Sequence, residues 1–267
     1  MSDSLTPQQP LGSLSVGNVV SAGLRIYRDR FKLYYSLALQ SYLWIFVPVY
    51  GWAKFAAISG LISRLAYSEI IEHPETVNEA RRHVKPRLWT FLGAGILVSL
   101  IFLGAFVGVG LFFAIVFGIL ATIAQQNSAL LIFISLLGIV ALIGLFFGYI
   151  WLYSRLSIVE LPIAIESETD ASAAIGRSWN LTKGFVVRLQ LIFFVAFLIT
   201  LPLSLVVNLI GFFLPQDSAI AVLINLALSI VLGAFLIPFW QAIKAVIYYD
   251  LRTRKEGIDL EIRDSRP

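Results

Sequence analysis

Along most of this chain the apolar positions neither alternate with polar ones nor fall on one face; they run uninterrupted. Residues 88–154 hold no Asp, Glu, Lys or Arg over 67 positions, whereas one helical crossing of a bilayer needs about 20. Two crossings fit there, at 88–118 and 129–153, on either side of the polar break Gln125 to Ser128. Residues 189–243 form a second run with Asp217 as the only charge. The break Pro215, Gln216, Asp217, Ser218 divides it into crossings at 189–213 and 219–247. A membrane β-barrel would show segments of roughly ten residues alternating apolar and polar side chains. These runs are apolar on every side, so the pattern predicts helices.

The first hydrophobic region, 34–68, is long for one crossing and short for two. Pro48, Tyr50 and Gly51 supply a turn in its middle, because Pro removes a backbone donor and Gly accepts unusual torsions. That predicts a tight hairpin with arms at 34–50 and 52–68. Each arm lies at the lower limit for spanning, and a re-entrant hairpin is the alternative.

Charge sets the orientation. Of the 20 Lys and Arg residues, all but Lys54 and Arg64 fall in four segments: before Tyr34, around Arg81 to Arg87, from Arg155 to Arg188, and from Lys244 onward. The breaks near 125–128 and 215–218 contain none. Six crossings place all four basic segments and both chain ends on the cytoplasmic side, as the positive-inside rule requires. Five would translocate the basic N-terminal segment. Lys54 and Arg64, near the ends of the second arm, are read as interfacial cations that snorkel to the headgroups. The deep amides Asn208 and Asn225 are read as helix-to-helix bonds.

Within the cytoplasmic segments the period changes to that of a helix. Val16, Val20, Leu24, Tyr27 and Phe31 share a face, with Arg25, Arg28 and Lys32 on others. Thr76, Val77, Asn78, Glu79 is a capping-box sequence that starts a second short helix. Asp170 starts a third, running through Ala174, Ile175, Arg177 and Trp179 to Lys183. The expected fold is therefore an all-α polytopic transmembrane bundle of about six crossings, in three units of one amphipathic surface helix followed by a hairpin. One membrane domain, 16–250, lies between tails at 1–15 and 251–267. Pro7, Pro10 and Gly12, with no preceding cation, make the first tail a mobile cytosolic segment and not a cleaved signal. Pro162 is expected to end the fourth crossing helix.

Composition narrows the chemistry. The chain is 58% apolar and 13% charged with mean hydropathy +0.85, against roughly a quarter charged in soluble domains. A water-soluble fold is excluded. The net charge of +4 is divided among membrane-proximal segments, so no nucleic-acid partner is expected. Without cysteine there is no thiol catalysis, disulfide or thiolate metal site. His73 and His83 lie too far apart for a zinc pair on one helix face, and Glu69, Glu72, Glu75 and Glu79 read as a solvated face opposite Arg81, Arg82 and Lys85. No phosphate-cradling glycine loop occurs, and the glycines from Gly104 to Gly110 suit close helix packing. Neither a cofactor nor catalysis is expected, because no acid, base, nucleophile and metal set converges. The candidate contact residues for lipid or a partner are Arg155, Arg177, Trp179, Lys183 and Arg252, cations and an aromatic at headgroup depth.

Three stretches, NVVSAGLRIYRDRFKLYY, SIVELPIAIESETDASAAIGRSWNLTKG and AVIYYDLRTRKEGIDLEI, resemble the bacterial glycerophosphoryl diester phosphodiesterase membrane domain. The likeness covers nearly the whole chain through overall pattern and loose motifs, with no catalytic signature. In the family's namesakes a hydrolase domain follows this region. Here a short charged tail follows Tyr249, so the resemblance implies a membrane module in a bacterial inner membrane and not the named activity. The expected function is binding of lipid headgroups or organisation of other membrane proteins, with membrane lipids and membrane proteins as partners. The alternative is a transporter or channel for a small solute.

Overall fold

The computed structural model describes residues 14–125, 127–167, 169–215 and 218–257. They form ten α-helices and one 3-10 turn, with no strand among the described residues: α1 (Val16–Asp29), α2 (Phe31–Ile45), α3 (Tyr50–Ile70), α4 (Val77–Val84), α5 (Leu88–Ile123), α6 (Ser128–Leu156), α7 (Glu160–Ile165), α8 (Ala171–Thr182), α9 (Val186–Phe213) and α10 (Ala219–Glu256). Starts are set by side-chain caps where the sequence supplies them. The Ser15 hydroxyl accepts from the Asn18 amide at 3.2 Å. Thr76 and Glu79 close both halves of a capping box on α4, and Asp170 accepts from the Ala173 amide at 2.6 Å at the start of α8.

Four helical stretches are long and apolar enough to cross a membrane: Val77–Ile123, Ser128–Ile165, Val186–Phe213 and Ala219–Glu256. They form two hairpins, α5 with α6 and α9 with α10. The outer parts of these hairpins leave large apolar side chains uncovered, among them Phe106, Phe112, Phe133, Phe146, Phe212 and Phe213. The buried core lies at the other end, where α1, α3, α7, α8 and the second half of α10 enclose Ile62, Ile158, Leu161, Ile163, Leu181, Ile243 and Tyr248.

The helices α2 and α3 are not among the four. With 15 residues, α2 is about 22 Å long, short of a hydrocarbon layer of roughly 30 Å. The pair turns through Pro48, Val49 and Tyr50, where the Tyr50 amide donates to the Pro48 carbonyl at 2.7 Å and Val49 takes φ 60° and ψ −68°. This is a tight γ-turn, a strained state for a β-branched residue. Ser63 Oγ donates to Gln241 Oε1 at 2.8 Å and the Tyr67 ring meets Tyr248 at 5.8 Å, so α3 runs parallel to the second half of α10. Tyr42 abuts Gly233. Six residues beyond Tyr42, about 9 Å, the chain turns back, whereas α10 continues about 21 Å from Gly233 to its start.

Several boundaries differ from those the sequence suggests. The fourth apolar helix ends at Leu156, not at Pro162, which instead sits in the first turn of α7, where a missing N–H leaves no helical bond unmade. Tyr249, Asp250 and Arg252 lie inside α10, which continues to Glu256 and is closed by Gly257 at φ 63°. Leu14 is buried and its amide donates to Asp250 Oδ1 at 2.8 Å, so Leu14 is part of the folded unit and not of a tail. The rest of the expected tails, 1–13 and 258–267, lies outside the described residues. The face of α1 that packs inward comprises Val19, Val20, Gly23, Ile26 and Tyr27 and leaves Leu24 exposed. Gly23 allows that approach: a Cβ there would stand 2.7 Å from Ile243 Cγ1.

Candidate functional site

At the charged end, the short helix α7 is held at both ends. Lys244 Nζ donates to Glu160 Oε1 at 2.8 Å at its start. At its finish, where helical carbonyls have no intrahelical partner, two arginines supply donors. Arg64 Nη1 donates to the Ala164 carbonyl at 2.7 Å while pairing with Glu75 at 2.6 Å. Arg87 Nη1 donates to the Ile163 carbonyl at 2.7 Å and also to the Glu166 carbonyl. Arg64 is thus a partly buried structural cation and not a side chain reaching for headgroups. Lys54, by contrast, pairs with no carboxylate among the described residues; its ammonium stands 3.7 Å over the Trp44 ring and 5.1 Å from the Tyr50 ring centre.

Two carboxylate hubs follow. Arg177 bridges Glu166, Nε to Oε1 at 2.8 Å, and Glu256, Nη1 to Oε1 at 2.5 Å. Tyr248 donates its hydroxyl to the same Glu166 oxygen at 2.5 Å, and Arg252 closes on Glu256 at 2.9 Å and on the Tyr67 hydroxyl at 3.3 Å. Burial works against the Arg177 charge, but bonds to Glu256 and Glu166 outweigh it and hold its pKa above the ordinary guanidinium value. The second hub is Asp250, 2% exposed, which accepts from Arg188 and Arg254 at 3.0 Å each and from the Leu14 amide. Asp250 is therefore satisfied on both oxygens.

Arg155 stands apart from both hubs. It is 4% exposed, yet among the described residues it takes part in no ion pair, and its Nε is buried without a hydrogen-bond partner. Its guanidinium lies 4.2 Å over the Trp179 ring and 5.7 Å from the Trp151 ring centre, and the two indoles meet edge to face at 5.5 Å. The backbone around it is fixed: Ser178 Oγ donates to the Arg155 carbonyl at 2.8 Å and Thr182 Oγ1 at 3.4 Å. Lys183, at the end of α8, and Lys255, near the end of α10, are exposed beside this cluster. The Lys255 ammonium bonds the Asn180 carbonyl and lies 5.9 Å from the Phe185 ring centre.

The five sequence-predicted contact residues therefore divide into two groups. Arg177 and Arg252 meet at Glu256 and are consumed in internal ion pairs, while Arg155, Trp179 and Lys183 gather on the other side of α8. Lys255 and Trp151 were not anticipated. Trp151 was legible, because it precedes Arg155 by one helical turn on the same helix face. Lys255 was not, because only the extension of α10 to Glu256 carries it back onto α8. The loop carboxylates are separately engaged: Glu69 by Arg30 at 2.8 Å and by the Tyr34 hydroxyl at 3.1 Å, Glu75 by Arg64, and Glu79 by Thr76. Among the described residues no group of His, Asp and Glu is arranged to hold a metal ion. A cleft of about 310 Å³ lies between α3, α5, α7 and α10, lined by Ser59, Phe91, Val98, Leu156, Glu160 and Gln241. Comparison with protein-family models, curated proteins and solved structures finds no match to this chain.

Proposed function

We propose that this chain is a non-catalytic integral membrane module of a bacterial inner membrane, which binds anionic lipid headgroups or organises other membrane proteins from its cytoplasmic face. The observation that carries this reading is the segregation of the molecule into uncharged, uncovered apolar hairpins at one end and a layer of arginine, lysine and tryptophan at the other. In this reading α5, α6, α9 and α10 cross the bilayer, α1, α4 and α8 lie at its cytoplasmic surface, and both chain ends are cytoplasmic. The α2/α3 hairpin enters from that same side and turns back near the midplane. Its support is the short α2 and the turn that falls well short of the start of α10. Four crossings and six both keep every basic segment on one side, so the charge pattern accommodates either count. The likeness to the glycerophosphoryl diester phosphodiesterase membrane domain is proposed as a likeness of architecture.

Because the sequence lacks cysteine, single substitutions report topology directly. Val49→Cys in intact cells is expected to resist a membrane-impermeant maleimide added from outside, while Ser128→Cys, at the tip of the α5/α6 hairpin, reacts. Labelling of both would establish six crossings. The function itself is tested by purifying the tagged protein in mild detergent and identifying bound lipids and proteins by mass spectrometry against a mock preparation. Enrichment of an anionic lipid or a stoichiometric partner supports the module; bulk lipid alone removes it. A second reading, transport of a small solute, draws on the cleft beside Glu160 and Gln241. It predicts flux into liposomes that Gln241→Leu abolishes.

A further inference from the structure

We infer that Arg155, framed by Trp151 and Trp179 and flanked by Lys183 and Lys255, is a binding site for one phosphate-bearing anion at the membrane surface. The inference rests on the module reading above and names its ligand chemistry. Buried arginines in proteins are paired, because an unpaired buried charge is costly. This molecule follows that rule elsewhere: Arg64, Arg177, Arg188, Arg252 and Arg254 all have carboxylates within 3.0 Å. Arg155 is more deeply buried than any of these and has none; its Nε donor is unmet, as is that of Arg188, whose charge Asp250 nonetheless balances.

The surroundings favour an anion from outside over an internal one. The indole faces orient the guanidinium and satisfy part of its field without accepting its planar N–H bonds, which suit two oxygens of a phosphate. Lys183 and Lys255 add two further positive charges. The acid on α10 that acts on Lys255, Glu256, is shared with Arg177 at 2.5 Å and Arg252 at 2.9 Å and so offsets only part of this positive charge. The segment that follows, Gly184 and Phe185, opens α9, whose start carries no side-chain cap and places a positive dipole end near Lys255. Trp151 is exposed on α6, which suits the level of lipid headgroups. A phospholipid headgroup and a free phosphate share this chemistry, and the test separates them.

Full-length protein in a neutral maltoside detergent is titrated with dioctanoyl phosphatidylglycerol, dioctanoyl phosphatidylcholine or inorganic phosphate, and binding is read by native mass spectrometry and by thermal shift. Two variants are compared with wild type: Arg155→Gln, and the double variant Lys183→Gln/Lys255→Gln, whose exposed positions leave the fold intact if the buried substitution does not. Phosphatidylglycerol is expected to bind in preference to phosphatidylcholine, roughly 25-fold more weakly to the double lysine variant than to wild type and more weakly still without Arg155. Inorganic phosphate binding lost in the same variants would support the site with a soluble ligand. Equal anion binding by wild type and both variants, or none by wild type, overturns it. If anionic lipid still co-purifies with Arg155→Gln as with wild type, the Arg155 site falls and the module reading stands; if neither anionic lipid nor a protein partner co-purifies with either, both fall.

Discussion

Asp250 shows how much a single side chain can hold in place. Its two oxygens join the chain start, through the Leu14 amide, to Arg188 on α9 and Arg254 on its own helix. Asp250→Asn keeps the volume and removes the charge that both guanidinia face. Breaking a buried pair costs about 3–5 kcal/mol, and since the arginines are partly exposed the expected loss is near 3, read as a lowered midpoint of thermal unfolding in detergent. Glu69 behaves in the opposite sense. Burial raises its pKa above the ordinary 4.5, and Arg30 and Tyr34 offset this only in part. Its protonated form is therefore favoured by folding, a contribution present at low pH and lost as pH rises through the raised value. Glu69→Gln should flatten the pH dependence of stability between about 4.5 and that value; an unchanged profile would remove Glu69 from the account. Which cation meets which carboxylate was not legible in the sequence. Arg177 reads in the sequence as a contact for lipid or a partner, and only packing α8 against α10 joins it to Glu166 and Glu256 in one network.

At the scale of helices, the sequence was most informative where a cap or an uninterrupted apolar run defines an end. The Thr76–Glu79 box, the Asp170 cap and the polar breaks around 125 and 215 all correspond to helix ends. It was least informative for α7, a six-residue apolar helix whose finish is supplied by Arg64 and Arg87 from distant parts of the chain. The first hairpin was ambiguous for a related reason: its arms are at the lower limit of a crossing, and how far α2 reaches along α10 depends on a contact that sequence spacing does not show. That hairpin is joined to the second by a close approach, since a Cβ on Gly60 would lie 2.3 Å from the buried Phe91 ring. Gly60→Val should destabilise by about 1–3 kcal/mol through overpacking. Adding Phe91→Leu should recover part of the loss, a non-additivity that a double-mutant cycle measures.

The whole molecule is polarised. Its apolar hairpins diverge from a base in which helices from every third of the sequence are bonded together: α1 with α10 through Tyr27 and the Phe235 carbonyl at 2.9 Å, α3 with α7 through Arg64, and α3 with α10 through Ser63 and Tyr67. Composition alone indicated the hairpins, because long uncharged runs admit few alternatives. The base was hidden, since its order comes from contacts between distant residues, 100 positions apart for Arg64 and Ala164 and 236 for Leu14 and Asp250.

Those long separations bear on the order of events at the ribosome. A chain threaded into the bilayer from its N-terminus has inserted three hairpins before residues 244–256 emerge. Until then α1 has no α10 to lie against, Glu160 lacks Lys244 and Arg188 lacks Asp250. The contacts of Arg64 and Arg87 with α7 can form before that point, and those made by α10 close last. A chain released early would therefore keep α7 capped while leaving Glu160 without its cation and α1 without its cover.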